Sequence, residues 1–212
     1  MSELHSPVNE VVRNEVPESG NSFNFDKRVE KQELNDAVEK TDNYNYDHRV
    51  ESYKDDNGVV YRDENGLKEN TKFESNGYQF ETDDKGRPKS AEGVLRLKPE
   101  GAKNATIPAS LTMKEIANNQ HLTTDDRGHL IGKRFDGPAI LGNLVAMDFN
   151  VNRGEYNKME EMLAKEIKAG KEVYMKVEPQ YKGDSHRPAG IHVTYTINGE
   201  QFTRTFRNRS DI

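Results

Sequence analysis

An α+β domain with a mainly antiparallel sheet is what three features of this sequence predict. Short extended runs divided by Asn-Gly and Lys-Gly pairs fill residues 58–97, and such pairs supply the backbone conformations that tight hairpin turns need. One long stretch, 152–167, repeats its apolar residues at helical spacing through Tyr156, Met159, Leu163 and Ile167. Strand-like alternation then returns over 171–206 and doubles back at Asn198-Gly199.

Taken in order, residues 1–57 mix acidic, amide and serine residues with few apolar anchors. They read as an acidic linker or pre-domain segment, partly disordered, with Phe25, Val29, Leu34 and Val38 spaced for one short helix. A folded domain is expected over 58–212. Its first strands are 59–61, ahead of the turn Glu64-Asn65-Gly66, and 77–81, ahead of Asp83-Asp84-Lys85-Gly86. After Arg87-Pro88, residues 91–97 alternate apolar and polar and read as a strand with one buried face. Pro99 and Pro108 punctuate a polar stretch that leads to a short helix at 111–117. Residues 135–139 form a Gly/Pro loop, and 143–147 are a short apolar run. The long helix carries Lys165 and Lys168 near its C-terminal end and Gly170 as a cap. Residues 171–179 form a strand and 190–206 the last hairpin.

Composition narrows the functional classes. Of the 212 residues only 32% are hydrophobic and 32% are charged, too polar for the whole chain to pack around one core. Without cysteine, disulfides and thiolate zinc sites are excluded. No apolar run approaches the roughly 20 residues that cross a bilayer, and the N-terminus lacks the layout of a signal peptide. No membrane is therefore expected for this segment, and any export would be directed from elsewhere. The net charge of −6 argues only superficially against a nucleic-acid partner. Residues 1–60 carry 7 Lys or Arg against 14 Asp or Glu, whereas residues 101–212 carry 16 against 14. The acidic surplus thus belongs to the N-terminal segment, and the rest can present a local basic groove. Arg204, Arg207 and Arg209 are candidates for such a patch; a solvated basic tail is the alternative.

The reactive residue types gather in two blocks. The first is Asp125-Asp126-Arg127-Gly128-His129-Leu130-Ile131-Gly132, and the second runs from Asn143-Leu144-Val145 to Asn152-Arg153-Gly154-Glu155-Tyr156. A neutral imidazole at His129 can deprotonate water near pH 7, and Gly128 relaxes the backbone beside it. Asn152, at the start of the long helix, offers a carboxamide oxygen to a hard ion such as Mg²⁺; it also suits a helix N-cap. Asn152, Tyr156 and Glu160 lie at i, i+4 and i+8 and share one helical face. The guanidinium forks of Arg127 and Arg153 match phosphate geometry, although either can pair instead with Asp125, Asp126 or Asp148. One histidine, one ion and one or two arginines can together activate a nucleophile, compensate charge at phosphorus and help an alkoxide leave.

Asp-Arg-Gly-His, then Asn-Leu-Val, then Asn-Arg-Gly-Glu-Tyr with a Glu four residues on, resembles the DNA/RNA non-specific endonuclease family of the ββα-metal fold. The resemblance covers roughly Tyr78 to Glu166 and includes Gly86-Arg87-Pro88. It implies a ββα-metal core with a metal-binding helix. By motif, His129 would be the general base, Asn152 the protein ligand of Mg²⁺ (with Mn²⁺ as the alternative), and Arg127 a phosphate contact, with Arg153 beside it. Glu160 would accept a hydrogen bond from a water of the ion, and Asn143 would help position the site. Tyr156 stands where some members have Trp, and the 23-residue interval from His129 to Asn152 is shorter than in the larger secreted members.

This compact form is similar to the C-terminal toxin domains of bacterial polymorphic toxins, particularly those of type VII secretion. That likeness implies a protein secreted to act in the cytoplasm of a target bacterium, DNA as the substrate with RNA as the alternative, and a cognate immunity protein. From another class, a non-catalytic nucleic-acid- or protein-binding module with a structural His129 stays open at this point.

Overall fold

Turn chemistry organises the first half of the described chain. In the computed structural model, which describes residues 53–103 and 106–209, β1 (Arg62–Asp63) and β2 (Gly66–Leu67) make a small separate ribbon around Glu64-Asn65. β3 (Lys72–Ser75) and β4 (Tyr78–Thr82) turn at Asn76-Gly77, both of positive φ. β3 is not among the expected strands. Its four residues hold one apolar side chain, and its place is set by the pairing of Phe73 with Phe80 rather than by local alternation. β5 (Pro88–Val94) begins three residues ahead of the expected strand, with proline at the first position, where its missing N–H is tolerated.

β8 (Val173–Gln180), β9 (Gly190–Ile197) and β10 (Glu200–Arg207) complete a six-stranded sheet in the order β10-β9-β8-β5-β4-β3, every ladder antiparallel. The last hairpin turns at Asn198-Gly199, again with both φ values positive. Along β8 buried and half-buried residues alternate, with Val173, Met175 and Val177 on the core side. The sheet is therefore covered on one face.

On that face lies a second, two-stranded sheet followed by a helix. β6 (Asp125–His129) runs antiparallel to β7 (Leu144–Asp148), with Asp125 opposite Asp148 and His129 opposite Leu144. The helical run begins at Phe149, ahead of Asn152, and Asp148 Oδ1 accepts the Asn150 N–H at 3.0 Å. Asp148 thus serves the first turn, and Asn152 is not the cap. Residues Val151–Tyr156 form a π-helical segment before α2 (Asn157–Lys168); π turns are rare and frequent at functional sites. Ahead of β6, the short α1 (Met113–Ala117) is capped by Thr112 Oγ1 and packs Ile116 with Leu111, Leu141 and Leu144 in a small cluster of its own.

The main core joins both layers: Tyr156, Met159 and Leu163 of the helical run meet Phe80, Met175, Val193 and Phe206 of the sheet. Each such side chain contributes roughly 1.5–3 kcal/mol by leaving water. All described residues belong to one compact unit within Tyr46–Ile212. Residues 1–52, and with them the helix expected over 25–38, lie outside the described residues.

The far end of the β6–β7 hairpin is tied down by polar side chains from the C-terminal part. Arg187 grips Asp125 with Nε and Nη2, each at 2.7 Å, and donates from Nη1 to the Asn208 carbonyl. The Asp125 side chain is fully buried in this pair. Asn208 accepts the Asp148 N–H at 2.7 Å and donates to the carbonyls of Ala146 and Pro188. Removing one partner of a buried ion pair strands the other charge. Arg187→Ala is therefore expected to cost about 3–5 kcal/mol in urea unfolding, and a loss under about 1 kcal/mol would show that the clamp is not needed.

Candidate active site

His129 ends β6, and the chain leaves the sheet immediately after it. The backbone that follows is held by side chains. Asn143, fully buried, accepts the Ile131 N–H at 2.8 Å and donates to the carbonyls of Ile131 and Pro138. The Tyr156 hydroxyl donates to the Leu130 carbonyl at 2.6 Å, and the Tyr78 hydroxyl to that of Phe135 at 2.5 Å. Asn143 therefore positions the loop and does not itself reach the cleft.

Gly128 owes its place to packing. Its φ is not in the left-handed region; a Cβ there would come within 2.6 Å of the Met147 Cβ on the neighbouring strand. The relaxed backbone expected from the sequence is thus not what selects this glycine. Gly132 is required for a similar reason, because a Cβ would collide with the Glu160 carboxylate.

Arg127, His129, Lys133, Asn152, Arg153 and Glu160 line one cleft of about 460 Å³. The two sequence blocks therefore converge, and Asn152 and Glu160 stay on a shared face despite the π turn. Asp126 ties the blocks together. Its Oδ2 accepts from Asn152 Nδ2 at 3.0 Å and from Arg153 Nε at 2.8 Å, and its Oδ1 from Arg153 Nη2 at 2.6 Å. Arg153 thus takes the carboxylate partner that was its alternative to phosphate, while 70% of its side chain remains exposed. The Arg153 guanidinium holds the Asp126 carboxyl below the usual carboxylate range. With its amide nitrogen committed to Asp126, Asn152 presents a fixed side chain at the cleft. Arg127 is exposed and donates to the Leu111 carbonyl at 3.2 Å. Arg204, Arg207 and Arg209, candidates for a basic patch, are exposed but do not line this cleft.

Burial moves the two central titratable groups in opposite directions. It pushes the His129 imidazole down to about 4, with the charges of Lys133 and Arg127 acting the same way. His129 is therefore neutral at physiological pH, and its Nε2 is buried with no hydrogen-bond partner, a costly state for a polar atom unless a water or substrate meets it. Burial pushes the Glu160 carboxyl up to about 7, against the Arg134 charge and a hydrogen bond from the Gly132 backbone. Arg134 Nε sits 3.3 Å from Glu160 Oε2, and its Nη2 donates to Asn157.

The donor set bears on the choice of ion. Among the described residues no group of three or more His, Cys, Asp or Glu could hold a metal. One carboxamide oxygen with a carboxylate nearby suits a hard ion that keeps most of its own water, as Mg²⁺ does, better than one needing several protein ligands.

Lys133, Arg134 and the anchoring Asp126 are cleft-side residues beyond those the motif blocks point to. A basic pair directly after the glycine that closes the first block was the available signal for Lys133 and Arg134. No local signal marks Asp126, since its partners lie 26 and 27 residues away.

A two-stranded ribbon and helix that bring a histidine, a carboxamide and a carboxylate to one cleft are the arrangement that the motif resemblance implied. Residues 69–199 match the DNA/RNA non-specific endonuclease family, and the chain belongs to it. The match extends beyond the Tyr78 to Glu166 stretch on both sides. The chain is 34% identical over 151 residues to the type VII secretion system protein EssD of Staphylococcus aureus strains USA300 and NCTC 8325 / PS 47, across 68% of this chain and 24% of those proteins. It thus spans about a quarter of the length of those relatives. The crystal structure of NucA from Streptococcus agalactiae with magnesium ion bound superposes with a TM-score of 0.53 at 18% identity, covering 71% of this chain and 78% of that one. That likeness is one of fold.

The raised pKa of Glu160 gives a pH signature. A carboxyl raised from 4.5 to about 7 stabilises the fold below pH 4.5, and that contribution is lost as pH rises through about 7. With divalent ions chelated, Glu160→Gln is expected to remove on the order of 3 kcal/mol of stability loss between pH 4.5 and 8. An unaltered pH profile of the thermal midpoint would place that titration elsewhere.

Proposed function

We propose that the chain is the catalytic domain of a secreted antibacterial toxin, a Mg²⁺-dependent endonuclease of little sequence choice that hydrolyses DNA, with RNA as the alternative substrate. The observation that carries the chemistry is the unpartnered, buried Nε2 of His129 in the same cleft as Asn152 and Glu160.

His129, kept neutral by its surroundings, takes a proton from water through Nε2. The water oxygen attacks phosphorus in line with the 3′ oxygen, the bond from phosphorus to that oxygen breaks, the departing 3′ oxygen takes a proton from solvent, and the products carry a 5′ phosphate and a 3′ hydroxyl. Arg127 holds the phosphate oxygens with its planar fork. Asn152 would hold the ion through its carboxamide oxygen, oriented by Asp126, while Glu160 would accept a hydrogen bond from the ion's hydration shell. When bound, Mg²⁺, with Mn²⁺ as the alternative, supplies Lewis-acid compensation of the charge that builds on the phosphoryl and leaving oxygens. Contacts chiefly to phosphate carry no base information, which accounts for the lack of sequence choice.

Similarity to the type VII secretion system protein EssD supports the secreted setting. In that reading the protein acts in the cytoplasm of a target bacterium, and the producing cell restrains it with an immunity protein. Among the described residues no helix is long and apolar enough to cross a membrane.

Plasmid and RNA digestion with and without chelator separates this reading from a non-catalytic binding module. His129→Ala is expected to lower kcat by roughly 10²–10⁴-fold with the circular dichroism spectrum unchanged, and chelation is expected to stop cleavage by the native protein. Undiminished cutting by the folded variant would take the histidine out of the mechanism.

A further inference from the structure

We propose that Lys133 is a phosphate-binding residue of the cleft, taking the backbone phosphate next to the one held at His129. The assignment rests on the phosphodiester-cleaving function proposed above and extends its substrate contacts beyond the scissile group.

Four cationic side chains line the cleft: Arg127, Lys133, Arg134 and Arg153. Two already have carboxylate partners, Arg153 with Asp126 and Arg134 with Glu160. Arg127 meets a carbonyl and no carboxylate. Lys133 makes neither a hydrogen bond through its ammonium group nor an ion pair among the described residues, although it is half-buried. Two uncompensated cations in one cleft match an incoming chain of anions better than a single phosphate.

Placement supports the same reading. Lys133 opens the 3₁₀ turn Lys133–Phe135, four residues beyond His129. The turn is fixed at both ends: Gly132 abuts Glu160, and the Phe135 carbonyl is held by Tyr78. Its main chain is thus rigid while the ammonium group is left without a partner. Arg127 precedes the histidine by two residues, and the charges of both are felt at the imidazole. A cation on either side of the general base offers a polynucleotide strand two holding points, one at the scissile phosphate and one beside it. A lysine, whose charge has no fixed orientation, suits a phosphate that is held without being positioned for attack. Arg153 is less suited, because both Asp126 oxygens hold it.

The rival account is that Lys133 only keeps His129 neutral, and it makes a different prediction. Binding is measured in a His129→Ala background by fluorescence anisotropy of a labelled DNA duplex at several salt concentrations. Adding Lys133→Gln is expected to weaken binding roughly fivefold or more at low salt and to flatten the log–log salt dependence by about 0.9. Lys133→Arg restores most of both. In the otherwise native protein Lys133→Gln is expected to raise KM severalfold with kcat kept within about threefold. Unchanged affinity and salt slope overturn the proposal, including the case in which only the acid limb of the pH–rate profile moves. If the native protein neither cuts nor binds nucleic acid, the function itself falls and this assignment with it. Normal cutting with an indifferent Lys133→Gln removes the assignment alone.

Discussion

The backbone beyond His129 runs through largely buried space past the end of the β6–β7 ladder; its own turns satisfy part of its polar groups, and side chains meet the amide of Ile131 and the carbonyls of Leu130, Ile131 and Phe135. A buried polar group without a partner costs about 1–3 kcal/mol, so Asn143, Tyr156 and Tyr78, which reach the loop from three directions, help to fix its path. Each of those side chains comes from a different part of the fold. Tyr78 belongs to the six-stranded sheet, Asn143 to the turn entering β7, and Tyr156 to the helical run. The conformation at the histidine is thus a product of the whole domain. The glycines fit the same constraint, since Gly128 and Gly132 sit where neighbouring side chains leave no room for a Cβ.

A second tie, through Asp126, sets what the cleft presents. The carboxylate is engaged by Asn152 and Arg153, so the cation it compensates is Arg153, while Arg127 and Lys133 keep their charge for an incoming anion. Desolvation acts on the other central groups by favouring their uncharged forms, lowering the imidazole and raising the Glu160 carboxyl. The result is an unprotonated base at neutral pH flanked by two cations, Arg127 and Lys133. Perturbation of this kind in a cleft is expected at catalytic positions.

Much of the architecture was legible because its signals are local. Asn-Gly pairs and period-two alternation announce hairpins, and the spacing of Tyr156, Met159, Leu163 and Ile167 announces the helix. β3 was not legible, since Phe73 gains its meaning only opposite Phe80. The start of the helical run was misplaced at Asn152 because Asn is a favoured cap, whereas Asp148 meets the first turn and a π segment follows. At the site, His129, Asn152 and Glu160 could be singled out because the motif blocks keep their order, although the interval between the first two is trimmed. The choice of Asp126 as the partner of Arg153 could not, because three nearby acids were equivalent until folding placed one of them within reach. For the loop cations Lys133 and Arg134 the one signal was their place directly after Gly132, too little to distinguish them from ordinary surface charge.

The clamp made by Arg187 and Asn208 bears on how the enzyme comes into being. Translation delivers the histidine and asparagine blocks well before the residues that secure their hairpin, and the chain emerges N-terminal part first. A nascent polypeptide that has extruded residue 160 does not yet contain Asn208, which receives the Asp148 N–H, or Arg187, which pairs with the Asp125 carboxylate; both lie some 60 residues downstream. The hairpin that carries the histidine is therefore secured only once the last part of the chain has emerged.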